Sequence, residues 1–443
     1  MRKINRRDFL KAMGAACAAA GLAGCGAASS STAAASSAAA SSAASSGAAV
    51  PTEAVNLKFA NYALLEDAYT EFWNGVKTKF EAKYPNITIE WVTAPYADIT
   101  STVTTMAGAG DKCDMVFGEV SWASTFEDSG LSVPVTDVLD ADFLHGFYES
   151  ALQACTIDGD IYGLPMYVSP FIIYYNTDIL KTAGVDKVPA TYDELLAACE
   201  KIKGMKTSDG NVIYPFGQTT ASVPISGSAL NSMIYNFGGQ VLDDTGALSI
   251  DNDGFHQAIE MLQTLDKNGY NPQNCKLKDL RNLFALGQLA MYYDQSWGIS
   301  GVKAINADID SVTASAVPLS GGSGKGASIL NAHVLYYADN GEANRQACAL
   351  LTQYLMSDEV LGDYMANIVP AYPALKSMSV PDNHVLTGAA DAINVAVAAP
   401  FVPALNDLNL ELCTLAQAVT VSGGDVDSSI EDFRKAATTL LNG

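Results

Sequence analysis

Positive charge is scarce in this chain. Of its 443 residues 25 are Lys or Arg against 48 Asp or Glu, a net charge of −23. That balance repels phosphate backbones and argues against any nucleic-acid partner. Histidine is rarer still: His145, His256, His333 and His384 stand far apart, with no HExxH or paired spacing to hold a metal. No two cysteines share CxxC spacing, so zinc and thioredoxin-like readings find no support. GxSxG and GxGxxG are missing. The glycine-rich stretch 320–328 is no phosphate-binding loop, because Leu319 stands where its first glycine belongs and Gly326 follows Lys325. Ser249, Asp251, Asp253, Gly254 and Glu260 match some positions of a calcium loop, but Ser249 stands where Asp belongs; a turn in which Asp251 or Asp253 caps the next helix fits better. The expectation is a protein without metal, cofactor or catalytic residues.

Long apolar runs are missing too. The uncharged run from Ala12 to Gly24 has 13 residues, short of the ~20 that span a bilayer as a helix. It follows Arg6-Arg7-Asp8-Phe9-Leu10-Lys11, which resembles a twin-arginine export motif with Asn5 where Ser or Thr is usual. Leu22-Ala23-Gly24-Cys25 then resembles a bacterial lipobox, in which Cys25 becomes the lipidated first residue. Residues 1–24 therefore read as a signal peptide, and removing them leaves 20 basic against 47 acidic side chains, a net −27. Residues 25–52 read as the lipidated cysteine and a tether. From Ala27 to Val50 only Ala, Ser, Thr, Gly and Val occur, a coil with ends roughly 25–30 Å apart. Six cysteines remain, Cys113, Cys155, Cys199, Cys275, Cys348 and Cys413; most are expected to be free, buried thiols.

The length calls for two domains. Val55–Ala60 alternates as a strand, Asp67–Tyr84 repeats apolar residues at helical spacing, Ile87–Val92 is a strand, Tyr96–Ala109 a helix and Asp114–Phe117 a third strand. This β-α-β-α-β order is that of a doubly wound sheet, with ligands beyond the carboxyl ends of the strands. Asn61, Tyr62 and the stretch Glu119–Trp122 lie there. Further on, Thr191 and Glu194 form a capping box, and helices are expected over Ser228–Phe237, Gly254–Asn268 and Glu342–Met356, with a strand over Ile329–Tyr337.

The organising stretch is Asp158–Asp178, DGDIYGLPMYVSPFIIYYNTD. Phe171–Tyr175 reads as a strand buried on both faces. Pro165 and Pro170 precede it and argue for a crossover outside the sheet interior, where the chain changes domain. YGLP before this strand, followed by Tyr175-Asn176, Asp178 and Leu180, resembles the hinge crossing of extracellular solute-binding proteins of ABC transporters, the maltose-binding-protein-like sugar-binding family. Ser315–Leu319 and Val369–Ala374 resemble its second and third crossings. Leu283–Leu289 running into Ala290-Met291 and then Ser296-Trp297-Gly298 resembles the phrase in which a Trp stacks on sugar.

The resemblance implies a type II periplasmic-binding-protein-like α/β fold with two discontinuous doubly wound lobes, 53–166 with 318–366 and 167–317 with 367–443. It implies a monomer that closes on a mono- or oligosaccharide and delivers it to ABC permease subunits at the outer face of the cytoplasmic membrane. A sugar cleft needs aromatic platforms and polar partners. Trp122, Tyr167 and Trp297 are the expected platforms, Trp122 fitting equally a helix residue packed on its own lobe; Asn61, Glu119, Ser169, Asp294, Gln295, Asn331 and His333 are the polar partners; Tyr62 and Tyr372 serve either role or brace the hinge. Alternatives are a polyamine or other cation held by Glu119 and Asp294, a secreted enzyme acting on polysaccharide, and a receptor feeding a sensor kinase.

Overall fold

The computed structural model describes residues 49–442 apart from 244, 323 and 399–401. The signal peptide, Cys25 and most of the tether lie outside the described residues. In the first lobe, β1 (Val55–Asn61) lies between β2 (Ile87–Val92) and β3 (Met115–Glu119), parallel to both. α1 (Thr70–Lys83) turns Trp73, Val76 and Phe80 into the core. α2 (Ile99–Gly108) starts later than its apolar pattern implies: Asp98 N–H donates to Pro95 O at 2.8 Å, a turn that leaves Tyr96 in the loop after β2.

The chain leaves this lobe through β4, Leu164–Asn176, thirteen residues long and buried almost throughout. Both prolines lie inside this strand, contrary to the sequence expectation. Each occupies a place where the ladder is already irregular. Pro165 faces Val334 beside a register shift, and Pro170 is the last residue paired with one neighbour before Phe171 takes up another. Along β4 the packing changes with the partner: Val168 belongs to the first core and Phe171 to the second.

In the second lobe α3 (Tyr192–Ile202) precedes β5 (Tyr214–Gly217), α4 (Pro224–Asn236), α5 (Asp253–Lys267), α6 (Leu277–Ala285), β6 (Leu289–Gln295) and α7 (Gly298–Ile305). Thr191 Oγ1 accepts from Glu194 N–H at 3.1 Å, while the Glu194 carboxylate accepts from Ala190 N–H rather than from Thr191. The turn before α5 is capped by Asn252, not by the neighbouring aspartates; Asp251 instead pairs with Arg434, so the calcium-loop pattern dissolves into ordinary capping.

β7 (Thr313–Ala316) and β8 (Ser328–Tyr337) return the chain, and β8 pairs antiparallel with β3 and β4. α8 (Glu342–Leu355) covers the first lobe. β9 (Tyr372–Pro373) then pairs with β4, and β10 (Ala396–Ala398) with β8. The last helices, α9 (Leu405–Val419) and α10 (Val426–Asn442), cover the second lobe. One ten-stranded sheet, in the order β2-β1-β3-β8-β4-β6-β5 with β7, β9 and β10 attached, thus runs through both lobes. The third crossing corrects the expected boundary: Val369, Ala371, Tyr372, Ala374, Leu375 and Met378, assigned by sequence to the second lobe, pack in the first core. The six cysteines among the described residues are free, and all but Cys275 are buried.

Gly227 sets how closely α4 and α9 approach, because a Cβ there would run into the Asn409 backbone, which has no room to yield. Gly227→Ala is expected to cost about 1–3 kcal/mol of stability, read as a lower urea midpoint at unchanged m-value.

Candidate functional site

A cavity of about 270 Å³ lies between the lobes. The first lobe supplies its wall from the carboxyl ends of β1, β2 and β3, where doubly wound sheets hold ligands: Tyr62, Glu66, Tyr69, Tyr96 and Glu119. The second lobe supplies Val223 and Ile225 at the start of α4 and Lys276, Leu277, Lys278 and Arg281 from α6. Gln295, Trp297 and His333 form the floor, on or next to the strands that join the lobes.

The floor is a stack of aromatic rings. Trp297 belongs by sequence to the second lobe, yet its ring lies in the first core, 4.3 Å from the His333 ring at an interplanar angle of 26°. Tyr167 meets Trp297 edge-on at 5.6 Å. The His333 imidazole is held at both nitrogens, Nδ1 by the Tyr167 hydroxyl at 2.5 Å and Nε2 by the Tyr62 hydroxyl at 3.1 Å. Burial, helped by the charge of Arg281, lowers its pKa to about 3, so it is a neutral ring near pH 7. Glu119 Oε1 lies 3.9 Å from Nε2, and a hydrogen bond joins the Glu119 carboxyl to Tyr96. Burial pushes this carboxyl up to about 7, against the opposing pull of Tyr96 and Arg281.

Of the remaining charges that line the cavity, Arg281, Lys278 and Glu66 are paired, while Lys276 makes no ion pair among the described residues. Arg281 grips Asp294 through Nε at 2.6 Å and Nη2 at 2.8 Å, and Asp294 is fully buried beneath the cavity. Gly298 is required beside it, since a Cβ there would collide with the Asp294 carboxylate. At the mouth, Glu66 of the first lobe meets Lys278 of the second at 3.4 Å.

Of the residues nominated from sequence, Tyr62, Glu119, Gln295, Trp297 and His333 line this cavity. The others do not. Trp122, expected as a platform, is buried behind Tyr62 and Tyr96 at ring distances of 6.1 Å from each, because Gly118 leaves its ring room against the strand. Tyr167 is buried beneath His333 and Trp297 instead of facing the cavity. Asn61 caps the turn after β1 by accepting from Ala63 N–H at 2.9 Å. Ser169 accepts from Ser296 N–H at 2.7 Å and ties two crossings together. Asp294 is a counter-ion and Tyr372 a ladder residue opposite Val168. Asn331 faces Ser169 across the ladder, and its Nδ2 has no hydrogen-bond partner among the described residues. Sequence reasoning missed Tyr69, Tyr96, Lys276, Lys278 and Arg281. Only Tyr96 carried a readable signal, as an aromatic just after Pro95 at the carboxyl end of β2.

Gln295 has the most informative side chain. It is 2% exposed, lines the cavity, and its Oε1 has no partner among the described residues. A buried acceptor left unpaired costs about 1–3 kcal/mol, so such a group in a cleft marks where a donor from a solute is received.

Architecture and cleft together define a two-lobed solute-binding fold. The chain belongs to the bacterial extracellular solute-binding proteins, a family match that covers residues 75–388. Residues 3–23 match the twin-arginine translocation signal sequence, which marks the protein for export. Among curated relatives, a binding protein of Brucella abortus is 27% identical over 246 residues, 54% of this chain and 56% of its own length. A maltodextrin-binding protein of Bacillus subtilis is 22% identical over 247 residues, 54% of this chain and 56% of its own. The chain thus matches little more than half the length of these relatives. Solved structures agree over a longer span. A solute-binding protein of Thermotoga lettingae bound with α-D-tagatose superposes with a TM-score of 0.77 at 23% identity, covering 88% of this chain and 99% of that one. Maltose-bound MalE3 of T. maritima gives 0.76 at 21% identity over 88% and 100%.

Arg281 and Asp294 should respond as a pair. Arg281→Met leaves a buried carboxylate unpaired and is expected to cost about 3–5 kcal/mol in chemical denaturation, whereas Arg281→Met with Asp294→Leu recovers most of that loss.

Proposed function

We propose that the protein is the substrate-binding lipoprotein of an ABC importer, capturing a carbohydrate of one or two rings between its lobes and delivering it to a membrane permease. The observation that carries this reading is the cleft itself: aromatic rings and uncharged polar groups inside, with its carboxylates either paired or buried and Lys276 on the wall as the lining cation without an ion pair among the described residues. Tyr62, Tyr69, Tyr96 and Trp297 offer rings to apolar sugar faces. Gln295 offers an unpaired acceptor to a hydroxyl. The volume, about 270 Å³, is just under the roughly 300–1,000 Å³ of pockets for drug-sized ligands, which favours a short sugar over a long one. Structural neighbours bound with tagatose and maltose support the same substrate class.

A polyamine fits less well. It needs carboxylates free to meet its ammonium groups, yet Glu66 faces Lys278, Asp294 faces Arg281, and burial disfavours charge on Glu119. The activity is binding and delivery, not catalysis. Solute bridging both lobes contributes its interaction energy to the closed state alone and so shifts an open-closed equilibrium that the permease reads. In this reading Cys25 carries the lipid, residues 27–50 tether the domain to the outer face of the membrane, and the protein works as a monomer. In this reading the first lobe takes 53–168 with 330–378, and the second 171–319 with the last two helices.

Thermal unfolding in the presence of maltose, D-tagatose, D-mannitol, spermidine and putrescine tests the substrate class. A bound sugar at about 100 times its Kd adds about 2.7 kcal/mol to the native state and raises the midpoint. The shift is expected with a sugar and is lost in Trp297→Ala, measured against that variant's own ligand-free midpoint. A shift with polyamines alone overturns the assignment to sugar.

A further inference from the structure

We propose that the closed cleft presents Glu119 to the solute as a neutral carboxylic acid, whose O–H donates to a solute oxygen that carries no hydrogen, so that capture takes up a proton. This rests on the solute-binding reading and adds the ligand atom that one residue selects.

The geometry leaves Glu119 little choice. Its backbone is fixed at the end of β3 by pairing with His333 and by the Tyr336 hydroxyl, which donates to its carbonyl oxygen at 2.6 Å. The groups that face its carboxyl from each packed element are Tyr96 after β2, Tyr62 after β1, His333 and Tyr336 on β8, and Arg281 on α6. Across the cavity Lys278 is paired with Glu66, and Lys276, which lines the opposite wall, makes no ion pair with Glu119 among the described residues. His333 is neutral with both nitrogens engaged by tyrosines, and the Arg281 guanidinium is already committed to Asp294. Tyr96 alone hydrogen-bonds the carboxyl from the side chains around it. A carboxylate buried with so little compensation holds its proton near neutral pH, consistent with the upward displacement to about 7.

A sugar supplies two kinds of oxygen. Hydroxyls both donate and accept, while ring and glycosidic oxygens only accept. Across the cavity Gln295 offers an acceptor without a donor, and protonated Glu119 offers a donor. Only a ligand donor such as a hydroxyl satisfies the Gln295 oxygen, whereas the Glu119 O–H can also meet a ring or glycosidic oxygen, which an ionised carboxylate could not bind. Opening removes the second-lobe wall and admits water to the carboxyl, which then ionises more readily than in the closed form. The sign follows. Between its open-form value and about 7 closure binds a proton that the open form lacks, so affinity falls by up to about tenfold per pH unit across that window and levels off above about 7, where both forms are ionised.

Isothermal titration of the full-length protein with maltose and with D-tagatose at about pH 6, in phosphate and in imidazole buffers, counts the protons directly. The proposal expects uptake approaching one proton per sugar in the wild type and none in Glu119→Gln, titrated at concentrations that saturate that variant at its own affinity. Should Glu119→Gln fail to fold, Tyr96→Phe substitutes for it: without its hydrogen bond the carboxyl ionises less readily, and the loss of affinity continues to higher pH before it levels off. Heats that do not depend on buffer while sugar binds, or uptake that persists in Glu119→Gln, overturn the proposal and leave the sugar reading standing. No heat with either sugar removes the sugar reading and this proposal together.

Discussion

Every feature of the cleft depends on one strand that belongs to two cores. β4 is thirteen residues long, pairs with β8 and β9 in its first half and with β6 and β7 in its second, and is buried from Leu164 to Tyr174. Because its backbone hydrogen bonds are satisfied on both sides, the lobes cannot separate without either breaking that ladder or bending at the place where partners change. Pro170 marks that place. Around it Ser169 accepts from Ser296 N–H, and the Ser296 hydroxyl donates to Pro370 O at 2.6 Å, so the crossings are stitched where bending is cheapest. Trp297 follows directly, which explains why a residue from the second lobe stacks in the first: it is carried there by the crossing.

The electrostatics of the cleft follow from the same closure. Bringing two walls together desolvates every charge between them, and an unpaired one is expensive. The molecule answers in three ways. Arg281 and Asp294 form a two-point pair, with the carboxylate fully buried and the guanidinium at the cavity wall. Glu66 and Lys278 face each other across the mouth, where solvent screens them and the pair contributes little beyond fixing the approach. His333 and Glu119, which have no partners of opposite charge to spare, shift toward their neutral forms. What remains inside is a surface mainly of rings, hydroxyls and amides, with Lys276 as a cation on its wall, suited to an uncharged polar solute.

Much of the architecture was legible in the sequence because its signals are local. Alternation in Val55–Ala60, helical spacing in the segment after it and the turn at Pro85-Asn86 are settled within a few residues, and they placed Tyr62 and Glu119 at strand ends where the cavity is found. The phrase ending in Trp297 located the floor. Arg281, Lys276 and Lys278 were not legible: on α6 they read as the solvated face of an amphipathic helix, and only tertiary placement turns that face toward the first lobe. Trp122 shows the converse error, an aromatic at the right strand end whose ring turns inward because Gly118 has no side chain. Proline rules misjudged β4 since they presuppose a regular ladder, and β4 places its prolines at a register shift and a change of partner.

The central claim is that a small uncharged solute closes two lobes that share a sheet. Small-angle X-ray scattering of the protein, alone and with whichever of maltose or D-tagatose it binds at saturating concentration, tests it most directly. The account predicts a smaller radius of gyration on binding, with a scattering curve that converges on the one calculated from the closed arrangement described above. Saturating sugar that leaves both the radius and the curve unchanged would contradict it, because the solute would then be bound without drawing the lobes together.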